Sequence, residues 1–165
     1  MVTETPENGG TAQPNEPLVF YMGKYAAAIP LNRHYCKNHM WCLPITDGTY
    51  RFGFSAYAIR LMKDIYFLDW CVDADSHVAY KQQIGNIETS KAVSDLFSPA
   101  EGKILEFNQE ILRDPALINV DGDNQGWLFS MTATNIERMS PQEYFNFLTA
   151  NWENTQRILK GQMGD

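Results

Sequence analysis

The chain has 165 residues, a formal net charge of −7 and a hydrophobic fraction of 44%, which is typical of a globular protein. A chain of this length can bury a core as one domain without disulfide bonds. Its acidity argues against nucleic acid or an anionic membrane surface as main partners. The three cysteines form no secretory framework, and no apolar run approaches membrane-spanning length, so the expected compartment is the cytoplasm.

The amino-terminal segment is polar, acidic and rich in proline and glycine. It lacks the basic and apolar regions of a signal peptide and the arginines of a transit peptide. We therefore predict a disordered leader over residues 1–17. The folded domain is predicted to span residues 18–139, and a C-terminal helix over residues 140–165 is predicted to pack on it.

Strands and one short helix are predicted for the first half of the domain. Residues 41–45 and 49–55 are expected to pair, because Asp47 and Gly48 between them are a hairpin signal. Residues 56–62 can gather their apolar side chains on one side of a short helix. Residues 64–72 are rich in aromatic and β-branched side chains, which predicts a buried strand.

The second half of the domain continues this pattern around a lysine. Lys91 stands between two strand-like segments, residues 78–88 and 92–98. A turn with Pro99 at its second position leads into a further strand at residues 103–108.

A short helix is predicted next, because Asn108 can cap it and Pro115 ends its run. Residues 126–131 are the last predicted strand.

The C-terminal segment has the signature of an amphipathic helix. Ser140 can be its N-cap, Pro141 stands at the first helical position, and Glu143 completes a capping box. Apolar residues recur on one face of this helix: Tyr144, Leu148, Trp152 and Leu159. The chain is thus predicted to be mainly β, a barrel or sandwich with short helices and one C-terminal helix.

Lys91 has the surroundings that a modified carrier lysine requires. Most lysines are solvated surface charges, but the flanking Ser90 and Ala92 are small and would leave the amine accessible to an enzyme. Glu88 supplies a carboxylate three residues earlier. A rigid hairpin would hold an attached arm away from the body of the protein, so we predict that Lys91 accepts an acyl group.

An ordered series of motifs around Lys91 resembles the H-protein family of the glycine cleavage system. The resemblance covers roughly residues 39–131 and begins with a His-x-Trp motif at His39 and Trp41. The later motif positions are Glu88, Lys91, Ala92, Ser98, Pro99, Gly102, Asn108, Pro115, Ile118, Asn119, Gly126, Trp127 and Leu128.

The resemblance implies a barrel-sandwich hybrid of two antiparallel sheets, with lipoic acid in amide linkage on Lys91. Glu88, Ser90 and Ala92 would surround the attachment point, and His39 would lie near the lipoyl arm. The arm would carry an aminomethyl group from the pyridoxal-phosphate glycine decarboxylase to the aminomethyltransferase.

The further partners implied are dihydrolipoamide dehydrogenase and a lipoate ligase or lipoyl transferase. A monomeric, non-catalytic carrier is expected, because the hard chemistry belongs to the cofactor. Biotin carriers place methionine on both sides of their lysine, so Ser90 and Ala92 favour lipoate.

Several residues depart from the family pattern. Met40, Ala56 and Lys63 stand where the family usually has Glu, Asp and Gly, and Trp70 and Cys71 replace Leu and Pro. These departures leave two alternative roles open for a lipoyl carrier. One is cytoplasmic sulfur oxidation with a heterodisulfide-reductase-like complex, and the other is lipoyl relay to 2-oxoacid dehydrogenases.

A metal site is the alternative interpretation of Cys36, His39 and Cys42, which are spaced at intervals of three. No fourth ligand is evident nearby, and buried cysteines commonly act as small hydrophobic residues. We therefore expect no metal there. A stand-alone enzyme would need a nucleophile and a base in one pocket, and no such pairing is recognisable in the sequence.

Overall fold

The computed structural model describes residues 15–162, which contain eleven strands and four helices. Most of the predicted leader, residues 1–14, lies outside the described residues. The strands are β1 (Leu18–Met22), β2 (Tyr25–Ile29), β3 (His34–Tyr35), β4 (Met40–Thr46), β5 (Thr49–Phe54), β6 (Ile65–Trp70), β7 (His77–Val78), β8 (Gln83–Thr89), β9 (Val93–Phe97), β10 (Gly102–Phe107) and β11 (Phe129–Ala133). The helices are α1 (Ala56–Met62), α2 (Gln109–Arg113), α3 (Ala116–Asp121) and α4 (Pro141–Gln162).

The strands form three antiparallel sheets. A six-stranded sheet has the order β3-β4-β5-β11-β10-β7, and a three-stranded sheet has the order β6-β8-β9. A separate hairpin of β1 and β2, which was not predicted, is the third sheet. The mainly β fold class is confirmed, and the described strands do not close into a barrel.

The main hydrophobic core draws side chains from both larger sheets. Phe52 and Phe129 face each other across β5 and β11 with ring centroids 5.3 Å apart. Ile87 of the three-stranded sheet and Ile104 of the six-stranded sheet are fully buried in the same cluster. This shared core fixes the three-stranded sheet, and therefore the β8–β9 hairpin, on the body of the protein.

A second core lies beneath the C-terminal helix. Tyr144 and Leu148 of α4 are fully buried there, as their predicted positions on one face require. Trp152 is half-buried and meets Phe20 of β1 edge to face at 5.9 Å. The side chain of Leu159 lies outside the described residues. Helix α4 therefore packs on the β1–β2 hairpin and α1 through the predicted apolar face.

The predicted helix starts are confirmed by their hydrogen bonds. In the capping box of α4, the Ser140 N–H donates to Glu143 Oε1 at 2.8 Å, and the Glu143 N–H donates to Ser140 Oγ at 3.1 Å. Asn108 caps α2 by accepting from the Glu110 N–H at 3.1 Å. Short polar side chains thus set where these helices begin.

One prediction about these elements was wrong. Strand β6 was predicted to be buried, but Tyr66 and Phe67 are exposed, because one face of its three-stranded sheet is open to solvent. The predicted end of the short helix is confirmed, because α2 ends at Arg113, before Pro115. Pro115 then precedes α3, since proline lacks only an N–H that the first turn of a helix leaves unpaired.

The turn that follows β9 is tightly constrained. Ser98 is buried, and its hydroxyl donates to the carbonyl of Ala100 at 2.7 Å. A Cβ atom on Gly102 would lie 1.7 Å from the carbonyl oxygen of Thr132, so only glycine allows β10 to approach β11 this closely. These two residues fix the base of the β8–β9 hairpin on the six-stranded sheet.

Candidate functional site

Lys91 lies at the tip of the β8–β9 hairpin. The two strands pair as far as Glu88 opposite Val93, and the connecting residues Ser90, Lys91 and Ala92 are all exposed. The lysine amine stands on a flexible four-carbon stem, and its two neighbours are small. The structure therefore places the predicted attachment residue where a modifying enzyme can reach it.

Thr89 organises the turn that carries Lys91. Its hydroxyl oxygen accepts hydrogen bonds from the backbone N–H groups of Lys91 at 3.1 Å and Ala92 at 3.3 Å. Its own backbone N–H donates to the Ala92 carbonyl at 2.9 Å. Threonine hydroxyls commonly close turns in this way. The sequence analysis missed this residue, although a threonine two positions before a turn lysine could have indicated it.

The tip also rests on the segment that leads into β6. The Ser90 N–H donates to the backbone carbonyl of Asp64 at 2.9 Å. Asn119 of α3 bridges this segment, because its amide donates to the Lys63 carbonyl at 2.8 Å and accepts from the Ile65 N–H at 3.0 Å. A hydrogen-bonded junction between α3 and the start of β6 thus supports the attachment turn.

Glu88 lies one step below the tip on the outer face of the hairpin. It stands in a cross-strand row between Phe67 of β6 and Val93 of β9. All three side chains are exposed, with Phe67 at 50% and Val93 at 68%. The ion pairs in the described part of the chain do not join Glu88 to Lys91. This row gives the tip an apolar surface with one carboxylate at its centre.

His39 lies under the C-terminal helix. Its Nδ1 is 2.9 Å from the hydroxyl of Tyr144, which is in turn 2.8 Å from the hydroxyl of Ser55. Its ring packs against Tyr57 at 5.1 Å and Phe147 at 5.9 Å. These partners come from α1, its N-cap and α4, and not from the hairpin. The contact of His39 with a lipoyl arm stays a prediction.

Burial sets the protonation of His39. Removal from water lowers the pKa of this imidazole from 6.5 to about 4, so the ring is neutral near pH 7. The neutral ring can accept from or donate to the Tyr144 hydroxyl, which links it to the Ser55 hydroxyl. The arrangement is that of a buried hydrogen-bond network joining three elements.

The structure shows no metal site at Cys36, His39 and Cys42 or elsewhere in the described part of the chain. Cys36 and Cys42 are buried, and burial raises the pKa of these thiols to about 12 and about 11. Thiols held protonated in this way are poor nucleophiles and poor metal ligands. Cys71 is exposed and lies in a different region, beside Gln83.

A groove of about 440 Å³ lies at the base of the hairpin. Its walls are largely apolar and include Cys36, Tyr80, Phe97 and Pro99. Cys36 is its only thiol and is held protonated. The lining does not pair a nucleophile with a base, so the groove offers no recognisable catalytic site.

Comparison with known proteins identifies the family. The model of the glycine cleavage H-protein family matches residues 33–150, which is well over half of the chain. The chain belongs to the glycine cleavage H-protein family. The H protein of Streptomyces coelicolor is 33% identical over 123 residues, which cover 73% of this chain and 98% of the relative. The H protein of Mycobacteroides abscessus is 34% identical over 107 residues, covering 65% and 81%.

A solved H-protein structure supports the same fold. The crystal structure of the glycine cleavage system H protein from Mycobacterium marinum aligns with a TM-score of 0.65 and 33% identity. The alignment covers 72% of this chain and 97% of the other. The predicted barrel-sandwich fold and the predicted family are both confirmed.

Membership of the H-protein family also supports the predicted function, a lipoyl carrier in glycine cleavage, over sulfur oxidation and lipoyl relay. Proteins of this family carry lipoate and work with the glycine cleavage enzymes. The β1–β2 hairpin precedes the residues matched by the family model and contacts α4. Among the described residues, no helix has the length and apolar character needed to cross a membrane.

Proposed function

We propose that Lys91 is the lipoylated residue and that its arm shuttles an aminomethyl group between the glycine decarboxylase and the aminomethyltransferase. The observation that carries this proposal is the position of Lys91, exposed at the tip of a hairpin whose turn is fixed by Thr89. A carrier needs both properties, because the amine must be reachable and the arm must start from a defined point.

The residues around Lys91 fit a lipoyl group. Ser90 and Ala92 present no bulk beside the stem, and Lys91 takes part in none of the ion pairs of the described residues. When bound, the lipoyl group supplies the reactive sulfur chemistry. The chain itself supplies the exposed amine, the rigid turn and the surface that partner enzymes meet.

The remaining roles follow from this proposal. Lipoate ligase or a lipoyl transferase would modify Lys91, with Glu88, Ser90 and Ala92 as its immediate contacts, and dihydrolipoamide dehydrogenase would reoxidise the arm. The carrier would be non-catalytic, monomeric and cytoplasmic. An arm folded toward His39 would have to reach from the hairpin tip to the network beneath α4.

Glycine-dependent exchange of carbon dioxide tests the function. The full chain is lipoylated and mixed with the glycine decarboxylase of the same organism. Exchange is expected with the wild-type carrier and is expected to be lost in Lys91→Arg, which keeps the charge but lacks a primary amine. Lys81→Arg is the matched control and should retain exchange, because Lys81 lies at the opposite end of β8. Equal exchange in the Lys91→Arg variant would refute the proposal.

A further inference from the structure

Lys63 occupies a backbone conformation that suits glycine. It ends α1 with φ of 66° and ψ of −143°, a region that residues with side chains rarely adopt. The conformation is enforced on both sides, since its N–H donates to the carbonyl of Ile59 and its own carbonyl accepts from Asn119. A lysine kept at such a position suggests that its side chain has a use.

Lys63 belongs to a cluster of three cations with Lys91 and Arg60. The carbonyl of the adjoining Asp64 accepts from the N–H of Ser90, next to Lys91, at 2.9 Å. Arg60 lies one turn before Lys63, at the end of α1. Partial burial, and then the nearby charges of Arg60 and Lys91, lower the pKa of Lys63. The guanidinium of Arg60 is held 4.6 Å above the ring of Tyr25. Asp64 is the opposing charge that acts on Lys63, but the ion pairs of the described residues include none of the three cations.

Lipoylation changes the charge of this cluster. Amide formation removes the positive charge of Lys91, which leaves Arg60 and Lys63 as the remaining cations of the cluster. The whole chain has a net charge of −7, so this small basic surface stands out from its surroundings. An enzyme that takes the arm into its active site would bring its own surface close to the Lys63–Asp64 segment, which contacts the turn at Ser90.

We propose that Arg60 and Lys63 are a docking surface for carboxylates that rim the arm entrance of the glycine decarboxylase. This inference rests on the proposed function. The decarboxylase receives the arm before any cargo is attached, so recognition at that step depends most on the protein surface around Lys91. Charges at the rim of an interface mainly change the association rate and its salt dependence, and the cationic pair would therefore act on the KM for the carrier.

The exchange assay on lipoylated full-length variants tests the docking role. Lys63→Gly and Arg60→Gln are each expected to raise the KM for the carrier about threefold to tenfold at low salt, with kcat unchanged. Both should weaken the salt dependence of kcat/KM. Lys63→Arg keeps the charge and should retain the wild-type KM. The matched control is Lys81→Gly, because Lys81 also has a positive φ, of 70°, but lies away from the tip.

The design separates docking from folding. Glycine relieves the backbone strain at both positions, so Lys63→Gly and Lys81→Gly should be at least as stable as the wild type, and only the first should lose affinity. Equal KM values for Lys63→Gly, Arg60→Gln and Lys81→Gly would overturn the docking role alone. An absence of exchange with the wild-type carrier would instead refute the proposed function, and the docking role with it.

Discussion

The hydroxyl oxygen of Thr89 accepts a hydrogen bond from the backbone N–H of Lys91 at 3.1 Å. The same oxygen lies 3.3 Å from the N–H of Ala92, so one side chain holds both residues of the exposed turn. The lysine side chain is exposed to solvent, whereas its backbone is held by hydrogen bonds. This combination lets an enzyme find the amine at a fixed place on the surface.

Replacement of Thr89 should therefore slow lipoylation. Thr89→Val keeps the shape but removes the acceptor, and we expect the initial rate of lipoate attachment to fall about tenfold through misplacement of the turn. The free energy of unfolding should fall by only about 1 kcal/mol, because the freed N–H groups are open to water. Thr89→Ser retains the hydroxyl and should restore the rate. Mass spectrometry follows the rate of lipoate attachment. A wild-type rate in Thr89→Val would contradict the role of Thr89 in positioning the turn.

Loss of the Tyr144 hydroxyl should destabilise the attachment of α4. Tyr144→Phe leaves His39 Nδ1 and the buried Ser55 hydroxyl without their shared partner. An unpaired buried polar group costs about 1–3 kcal/mol, which urea unfolding can measure. Tyr66→Phe is the control, since Tyr66 is 60% exposed. Equal unfolding midpoints for the two variants would show that the network contributes little.

The stability of the protein should depend on pH through His39. Because its pKa falls from 6.5 to about 4 on folding, the unfolded chain binds more protons between these values. The stabilising effect is complete above pH 6.5 and is lost as the pH falls toward 4. After allowance for partial exposure, we expect a contribution of about 2 kcal/mol.

His39→Asn isolates this contribution, because asparagine tolerates the positive φ of 70° at this position and does not titrate. Urea unfolding is followed from pH 7.5 to 4.5 for both proteins. The wild-type free energy of unfolding should fall more steeply than that of the variant. Parallel curves would contradict a neutral buried His39.

The sequence predicted the β4–β5 hairpin and the start of α4 because local signals were sufficient. Asp47 and Gly48 marked a turn, and the capping box at Ser140 and Glu143 marked the start of α4. The approach of Asp64 to Ser90 could not be predicted, because it joins segments whose proximity only tertiary packing creates. The same holds for the Tyr144 hydroxyl, which meets His39 across more than one hundred residues.

The backbone conformation of Lys63 also could not be predicted from the sequence. The sequence showed only a charged residue where the family usually has glycine. The φ of 66° shows why glycine suits the position and what strain the lysine bears. The exposure of Phe67 could not be predicted for a different reason, since aromatic residues in a strand usually indicate burial.

Gly102 should be intolerant of any side chain. A Cβ atom there would lie 1.7 Å from the Thr132 carbonyl oxygen, so Gly102→Ala must separate β10 from β11 and should cost about 3 kcal/mol or more. Gly48→Ala is the comparison, because Gly48 has a φ of 73° but nothing within 4 Å of an added Cβ. Only backbone strain of about 1 kcal/mol is expected there. Similar thermal unfolding of the two variants would contradict this account of the hairpin base.

Mass mapping of the modified lysine tests the central claim most directly. The full chain is produced with a lipoate ligase and lipoate, its folded state is verified by circular dichroism, and its peptides are then analysed by mass spectrometry. We expect one lipoyl group per chain, in amide linkage on Lys91, and none in Lys91→Arg. A folded chain that stays unmodified, or that carries lipoate on another lysine such as Lys103, would contradict the assignment of Lys91 as the carrier residue.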